Sequence, residues 1–176
     1  LLFGLVISLS SMIIPDPVHA LSDEVAYLGG DLQRTGYFQS PAPLELVGTK
    51  WTIKPGGIIP GSVAVSSDLV FFGSDDGIFR AVDVRTGKEK WKYETDGPIV
   101  SSPAVGEGVV VFGSEDERLY CLNMVDGTLR WKFKAKGKLI SSPIIEDGVV
   151  YFGGLDSRFY AVDLKKGKKM WNYMAR

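Results

Sequence analysis

Residues 92–131 read KYETDGPIVSSPAVGEGVVVFGSEDERLYCLNMVDGTLRW, and residues 132–171 read KFKAKGKLISSPIIEDGVVYFGGLDSRFYAVDLKKGKKMW. Both stretches are 40 residues long, both close on tryptophan, and 15 of their 40 positions are identical. Residues 52–91 extend the frame backwards without a gap, so tryptophans stand at Trp51, Trp91, Trp131 and Trp171, each 40 residues from the next. Eight positions are the same in all three units. They are Gly57/Gly97/Gly137, Ser62/Ser102/Ser142, Val70/Val110/Val150, Phe72/Phe112/Phe152, Gly73/Gly113/Gly153, Asp76/Asp116/Asp156, Gly87/Gly127/Gly167 and the closing Trp. Self-similarity at such a period is the signature of a repeat architecture.

Each unit reads as four short strands. In the middle copy Ile99–Val105 is the first, turned by Gly106-Glu107-Gly108. Val109–Ser114 is the second, a continuous apolar run of the kind buried on both faces. Arg118–Leu122 is the third and Thr128–Phe133 the fourth. Asp75-Asp76-Gly77 marks the middle turn of the first copy, because glycine accepts positive φ without steric cost. Pro and Gly within the runs exclude helix. Four strands per ~40 residues is the arithmetic of a β-propeller blade. Lys92, Lys132 and Asn172 follow the tryptophans, which disfavours the WD type of repeat.

The stretch Ala81-Val82-Asp83-Val84-Arg85-Thr86-Gly87-Lys88-Glu89-Lys90-Trp91 fits Ala-x-Asp-x-x-Thr-Gly-x-x-x-Trp. It resembles the tryptophan-docking motif of pyrroloquinoline quinone (PQQ)-type, or quinoprotein-like, propeller repeats. Ala161–Trp171 matches with Lys166 in place of Thr. The middle copy is looser, with Cys121 for Ala, Asn123 for Asp and Asp126 for Thr. Ser101-Ser102-Pro103, Ser141-Ser142-Pro143 and the lead-in Gly30–Tyr37 extend the resemblance over residues 29–176. The resemblance implies an all-β, partial β-propeller of about three four-stranded blades. Their spans are about 58–96, 98–136 and 138–176. Trp51, Trp91, Trp131 and Trp171 pack on the adjacent blade near Ala81, Cys121, Ala161, Gly87, Gly127 and Gly167.

The same residue types make sense without the family. An indole offers a large apolar area and one N–H donor, which suits a recurring gap between sheets. Gly87, Gly127 and Gly167 fall where a tight hairpin needs a left-handed residue. Asp83, Asn123 and Asp163 can accept backbone N–H bonds across that turn. The resemblance further implies that a Thr49–Lys54 strand carrying Trp51 closes the ring as the outer strand of the last blade. Three blades cannot close a ring, since propellers use about 4–8. With no initiator Met, the chain therefore reads as the N-terminal part of a longer polypeptide. An oligomer supplying the other blades is the lesser alternative.

Leu1–Ile14 is an apolar run too short for a span of ~20 residues. It is followed by Pro15-Asp16-Pro17 and by Val18-His19-Ala20, a small-residue cleavage pattern. Residues 1–20 are thus expected to be a signal peptide, 21–50 a lead-in and 51–176 the repeats. The mature chain is expected to be periplasmic, extracellular or at the cell surface, with no stable membrane insertion.

Among the 176 residues, 20 Lys+Arg face 21 Asp+Glu, and this gives no support to nucleic-acid binding. A single cysteine excludes an internal disulfide and any CxxC site. The single histidine, His19, lies in the expected leader, so histidine-dependent hydrolase and metal chemistry fall away with it. Asp75-Asp76 and Glu115-Asp116-Glu117 could hold Ca²⁺ through oxygens, but their turn positions favour solvated turn residues. Lys132, Lys134, Lys136 and Lys138, with Lys165, Lys166, Lys168 and Lys169, could meet an anionic partner. Protection of sheet edges explains them better. Cys121 reads as a small core residue. No catalytic, cofactor-binding or metal residue is assigned.

Two function classes remain. The first is a non-catalytic, BamB-like envelope scaffold that binds other envelope proteins or peptides and needs no cofactor. The second is part of a PQQ- and Ca²⁺-dependent alcohol or sugar dehydrogenase. Gapless units leave no insertions for dehydrogenase loops, and one cysteine cannot form the vicinal pair common in large PQQ dehydrogenases.

Overall fold

The computed structural model describes residues 49–175. The expected leader with His19, and the lead-in as far as residue 48, lie outside the described residues. The rest is all-β, with three four-stranded antiparallel sheets following one another along the chain. Sheet one holds β1 (Ala64–Ser66), β2 (Leu69–Gly73), β3 (Ile78–Asp83) and β4 (Glu89–Glu94). Sheet two holds β5 (Ala104–Gly106), β6 (Val109–Gly113), β7 (Arg118–Asn123) and β8 (Leu129–Lys134). Sheet three holds β9 (Ile144–Glu146), β10 (Val149–Gly154), β11 (Arg158–Asp163) and β12 (Lys169–Met174). Within each sheet the strands lie in chain order. The short first strands β1, β5 and β9 lie side by side between sheets, as the inner strands of neighbouring blades do. The architecture is an open, partial β-propeller.

Local chemistry sets each hairpin. The β5–β6 and β9–β10 loops have two residues, Glu107-Gly108 and Asp147-Gly148, all with positive φ between 47° and 73°. Positive φ at both central positions is the type I′ turn, whose twist suits a right-handed hairpin. Between the third and fourth strands each sheet carries the same register shift, at Ala81/Val82, Cys121/Leu122 and Ala161/Val162.

The core lies between the sheets. Phe71, Phe79, Ala81 and Ala64 of sheet one meet Val110, Phe112, Tyr120 and Leu122 of sheet two. Val111, Leu119 and Cys121 on the other face of sheet two meet Val150, Phe152, Tyr160 and Val162 of sheet three. Phe79 stacks on Phe112 with ring centroids 3.9 Å apart. Period-2 alternation therefore divides β6 and β7 between two neighbouring sheets, and burial on both faces explains the continuous apolar run of β6.

Two expectations need correction. The first strand of the middle unit is three residues, not the seven of Ile99–Val105. Pro103 has no N–H, and Ser101 replaces the missing ladder with its side chain: Oγ accepts from Gly113 N–H and donates to the Gly113 carbonyl, both at 2.9 Å. Ser141 does the same at Gly153. Thr49–Lys54 is not a strand, because no partner strand lies beside it among the described residues. Trp51 and Ile53 instead lie over Val70, Phe72 and Val82 of sheet one.

Candidate functional site: the seams between repeats

The tryptophans and the glycines meet across the seams. Trp51 Nε1–H donates to the Val84 carbonyl at 2.9 Å, Trp91 to Met124 at 3.1 Å and Trp131 to Leu164 at 2.7 Å. Each acceptor lies 33 residues after its donor. The indoles rest on Gly87, Gly127 and Gly167, where a Cβ would come within 2.6 Å of the ring atoms. Those glycines also have φ of 63° to 71°. Ala81, Cys121 and Ala161 are fully buried and pair in register with Trp91, Trp131 and Trp171. Trp171 has no following glycine among the described residues and is 46% exposed.

The polar turn between third and fourth strands is held by one side-chain oxygen. Asp83 Oδ1 accepts from the Arg85 and Thr86 amides and from the Thr86 hydroxyl. That hydroxyl first, and Lys90 next, lower the Asp83 carboxyl to about 2. Asn123 Oδ1 accepts from Val125 N–H, and Asp163 Oδ1 from Lys166 N–H.

Asp76, Asp116 and Asp156 do not behave as solvated turn residues. The Asp116 side chain is only 4% exposed and that of Asp156 6%. Each accepts the amide two residues on, from Ile78, Arg118 and Arg158. Asp116 and Asp156 also accept the hydroxyls of Tyr120 and Tyr160 at 2.5 Å. In the first unit Arg80 takes the tyrosine's place, donating to Asp76 at 2.8 Å and to Ser74 Oγ at 2.7 Å. The Arg80 guanidinium holds the Asp76 carboxyl well below the carboxylate range. Burial, with Asp156 beside it, pushes the Tyr160 phenol up to about 12. Asp76 and Asp116 also accept the main-chain N–H of Gly56 and Asp96, so each ties its hairpin to the preceding segment. The neighbouring Asp75 does remain exposed.

A serine ladder links the segments that lead into the inner strands. Ser62 N–H donates to Ser102 Oγ at 2.8 Å, and Ser102 N–H to Ser142 Oγ at 3.1 Å. Sequence reasoning singled out these serines and aspartates as identical in every unit but gave them no such role. Identity in every unit was the available signal.

Of the remaining candidates, Cys121, Lys134 and Lys138 are accounted for by neighbours. Cys121 is fully buried between sheets two and three, and burial pushes its thiol up to about 12. Lys134 and Lys138 pair with Glu117 and Glu115 at 2.6 and 2.7 Å, while Lys132 and Lys136 stand exposed. No group of three or more His, Cys, Asp or Glu side chains is gathered for a metal among the described residues.

The family described as outer membrane protein assembly factor BamB matches residues 97–176. Among solved structures, BamB from Moraxella catarrhalis is similar, with a TM-score of 0.64 at 22% identity, over 71% of this chain and 39% of that one. A europium-containing methanol dehydrogenase gives a TM-score of 0.63 at 16% identity, over 72% of this chain and 27% of that one. The quinohemoprotein alcohol dehydrogenase from Comamonas testosteroni gives 0.58 at 20% identity, over 66% and 21%. This chain therefore spans well under half the length of each. No curated protein matches the sequence. The family match covers residues 97–176, and the solved structures share the fold of the open, partial β-propeller.

Proposed function

We propose that this chain of PQQ-type repeats belongs to an exported, non-catalytic β-propeller, a protein–protein interaction scaffold in the cell envelope or at the cell surface. The observation that carries the reading is the match of residues 97–176 to the family described as an outer-membrane assembly factor. Trp51, Trp91, Trp131 and Trp171 are assigned the structural task of docking one blade on the next, with Gly87, Gly127 and Gly167 as seats. What is left for partners is the outer rim. Strands β4, β8 and β12 each have a neighbour on one side only. Such an edge, together with the loops beside it, can take a peptide or a strand of another envelope protein.

A dehydrogenase fragment using PQQ and Ca²⁺ is the second reading, favoured by the fold shared with the two alcohol dehydrogenases. The described residues do not fit that cofactor. Asp116 and Asp156 spend their oxygens on a tyrosine, an arginine and turn amides, and Asp76 on Arg80, Ser74 and Ile78 N–H.

The test is amine-reactive cross-linking of the native protein in intact envelopes, read by mass spectrometry. The scaffold reading expects links from the exposed Lys132, Lys165, Lys166 or Lys168 to another envelope protein. Links within this polypeptide alone would contradict it.

A further inference from the structure

Charge is spread unevenly over the outer rim. The chain as a whole is near neutral, with 20 Lys+Arg against 21 Asp+Glu. Yet no acid stands between residues 127 and 145, where Arg130, Lys132, Lys134 and Lys136 alternate along β8 and just beyond it. The turn between β11 and β12 adds Lys165, Lys166 and Lys168, and all seven side chains are exposed.

The seam between sheets two and three brings the two groups together. Trp131 of β8 donates to the Leu164 carbonyl at 2.7 Å and its ring lies on Gly167, so the lysine turn is docked against β8. Trp131 and Phe133 pack with sheet three. Alternation puts Arg130, Lys132 and Lys134 on the other face, and Lys132 stands opposite Tyr120, which packs with sheet one. The outer edge of β8 has no neighbouring strand among the described residues, and it runs between cations on both sides.

The corresponding places in the other units are balanced. Arg85 pairs with Asp68 at 3.5 Å and Lys90 with Asp83 at 3.2 Å. The turn docked on Trp91 carries Asp126 and no lysine. Lys134 pairs with Glu117, but Lys132, Lys136, Lys165, Lys166 and Lys168 form no ion pair among the described residues. Protection of an edge calls for lysines on the edge strand itself, which leaves those of the turn unexplained.

We infer that the outer edge of β8 binds an extended, acidic segment of a partner protein as an added strand. The inference rests on the scaffold reading and names the chemistry of the partner at the rim. An open edge presents main-chain N–H and C=O groups, which another strand matches and a lipid headgroup does not. Side chains of the added strand point alternately to its two faces. Its acids therefore meet Arg130 and Lys132 on one side and the Lys165–Lys168 turn on the other. Opposite charges on adjacent strands attract, and like charges repel. The same lysines thus turn away a second copy of this edge and accept an acidic strand, so repulsion contributes to the choice of partner.

The experiment is fluorescence anisotropy of the full-length protein with a labelled peptide rich in Asp and Glu. A second peptide of equal charge has proline at every other position and cannot donate the ladder hydrogen bonds. Phosphatidylglycerol vesicles are the third probe. The expected result is saturable binding of the first peptide that weakens with added salt. Lys132→Glu, and Lys165→Glu combined with Lys166→Glu, should each weaken it several-fold, while Lys92→Glu on β4 leaves it unchanged. Absence of binding, or binding indifferent to these variants, would overturn the inference. Equal affinity for the proline peptide would overturn it too, by reducing the contact to charge alone. So would preference for the vesicles, which would assign the lysines to a membrane surface. Cross-links to other envelope proteins without peptide binding would end this inference and leave the scaffold reading standing.

Discussion

Trp131 is held by Gly167, 36 positions later in the sequence: its indole lies where the glycine's Cβ would be, 2.6 Å from Cδ2, while its N–H is bonded to the Leu164 carbonyl. The tryptophan of one unit and the glycine of the next thus form one contact, and neither is replaceable alone. Gly167→Ala meets both the positive φ of 63° and the ring. It is expected to lower unfolding stability by more than about 2 kcal/mol. Gly148→Ala shares the φ but has nothing within 4 Å, and should cost about 1 kcal/mol. Urea unfolding of the two variants checks the difference.

Trp131→Phe removes the 2.7 Å hydrogen bond and part of the ring. It is expected to cost about 1–3 kcal/mol, with the Leu164 carbonyl left without its partner. Hydrogen exchange should show the effect in the amides of β8 and of the Asp163–Gly167 turn, with β1 and β2 unchanged.

How far the sequence led can be judged on such residues. The period, the three sheets and the tryptophan spacing were legible because each unit makes the same contacts and keeps the same residues for them. In the sequence Asp116 reads as a solvated acid, because a hairpin turn is usually wet. The preceding segment, which covers it and places Asp96 N–H on it, cannot be seen from one unit. The short β5 was missed for a related reason: a serine side chain bonded to Gly113 looks, in sequence, like another strand residue. The strand expected around Trp51 failed because a strand needs a neighbour, and local sequence cannot say whether one is present.

The Asp76 carboxyl, held down from an ordinary 3.8 chiefly by Arg80, binds its proton more readily in the unfolded chain than in the folded one. Stability from this pair is complete above pH ~4 and is lost as pH falls towards the lowered folded value. Asp76→Asn is expected to be less stable than the parent at pH 6. Its stability should also fall less between pH 5 and 2.5, as urea unfolding over that range would show.

At alkaline pH the sign reverses. The Tyr160 phenol, raised from 10.0 to about 12 by burial and Asp156, keeps its proton longer when folded. Its contribution is intact below pH 10 and is lost as pH rises towards 12. Absorbance at the tyrosinate band should show Tyr160 ionising only as the fold opens, and Tyr160→Phe should remove that component.

Cys121 reports on the seam between sheets two and three without disturbing it. With the thiol fully buried and raised to about 12, a disulfide-exchange reagent at pH 8 should label it only through local opening. Gly167→Ala is expected to speed labelling, and Gly148→Ala to leave it near the parent rate.

The proposal of a non-catalytic scaffold is tested most directly by calorimetric titration of the intact protein from its source with PQQ in the presence of Ca²⁺, followed by a dye-linked alcohol oxidation assay on the same sample. The scaffold reading predicts no saturable quinone binding and no dye reduction above the quinone alone. Stoichiometric binding accompanied by turnover would contradict it.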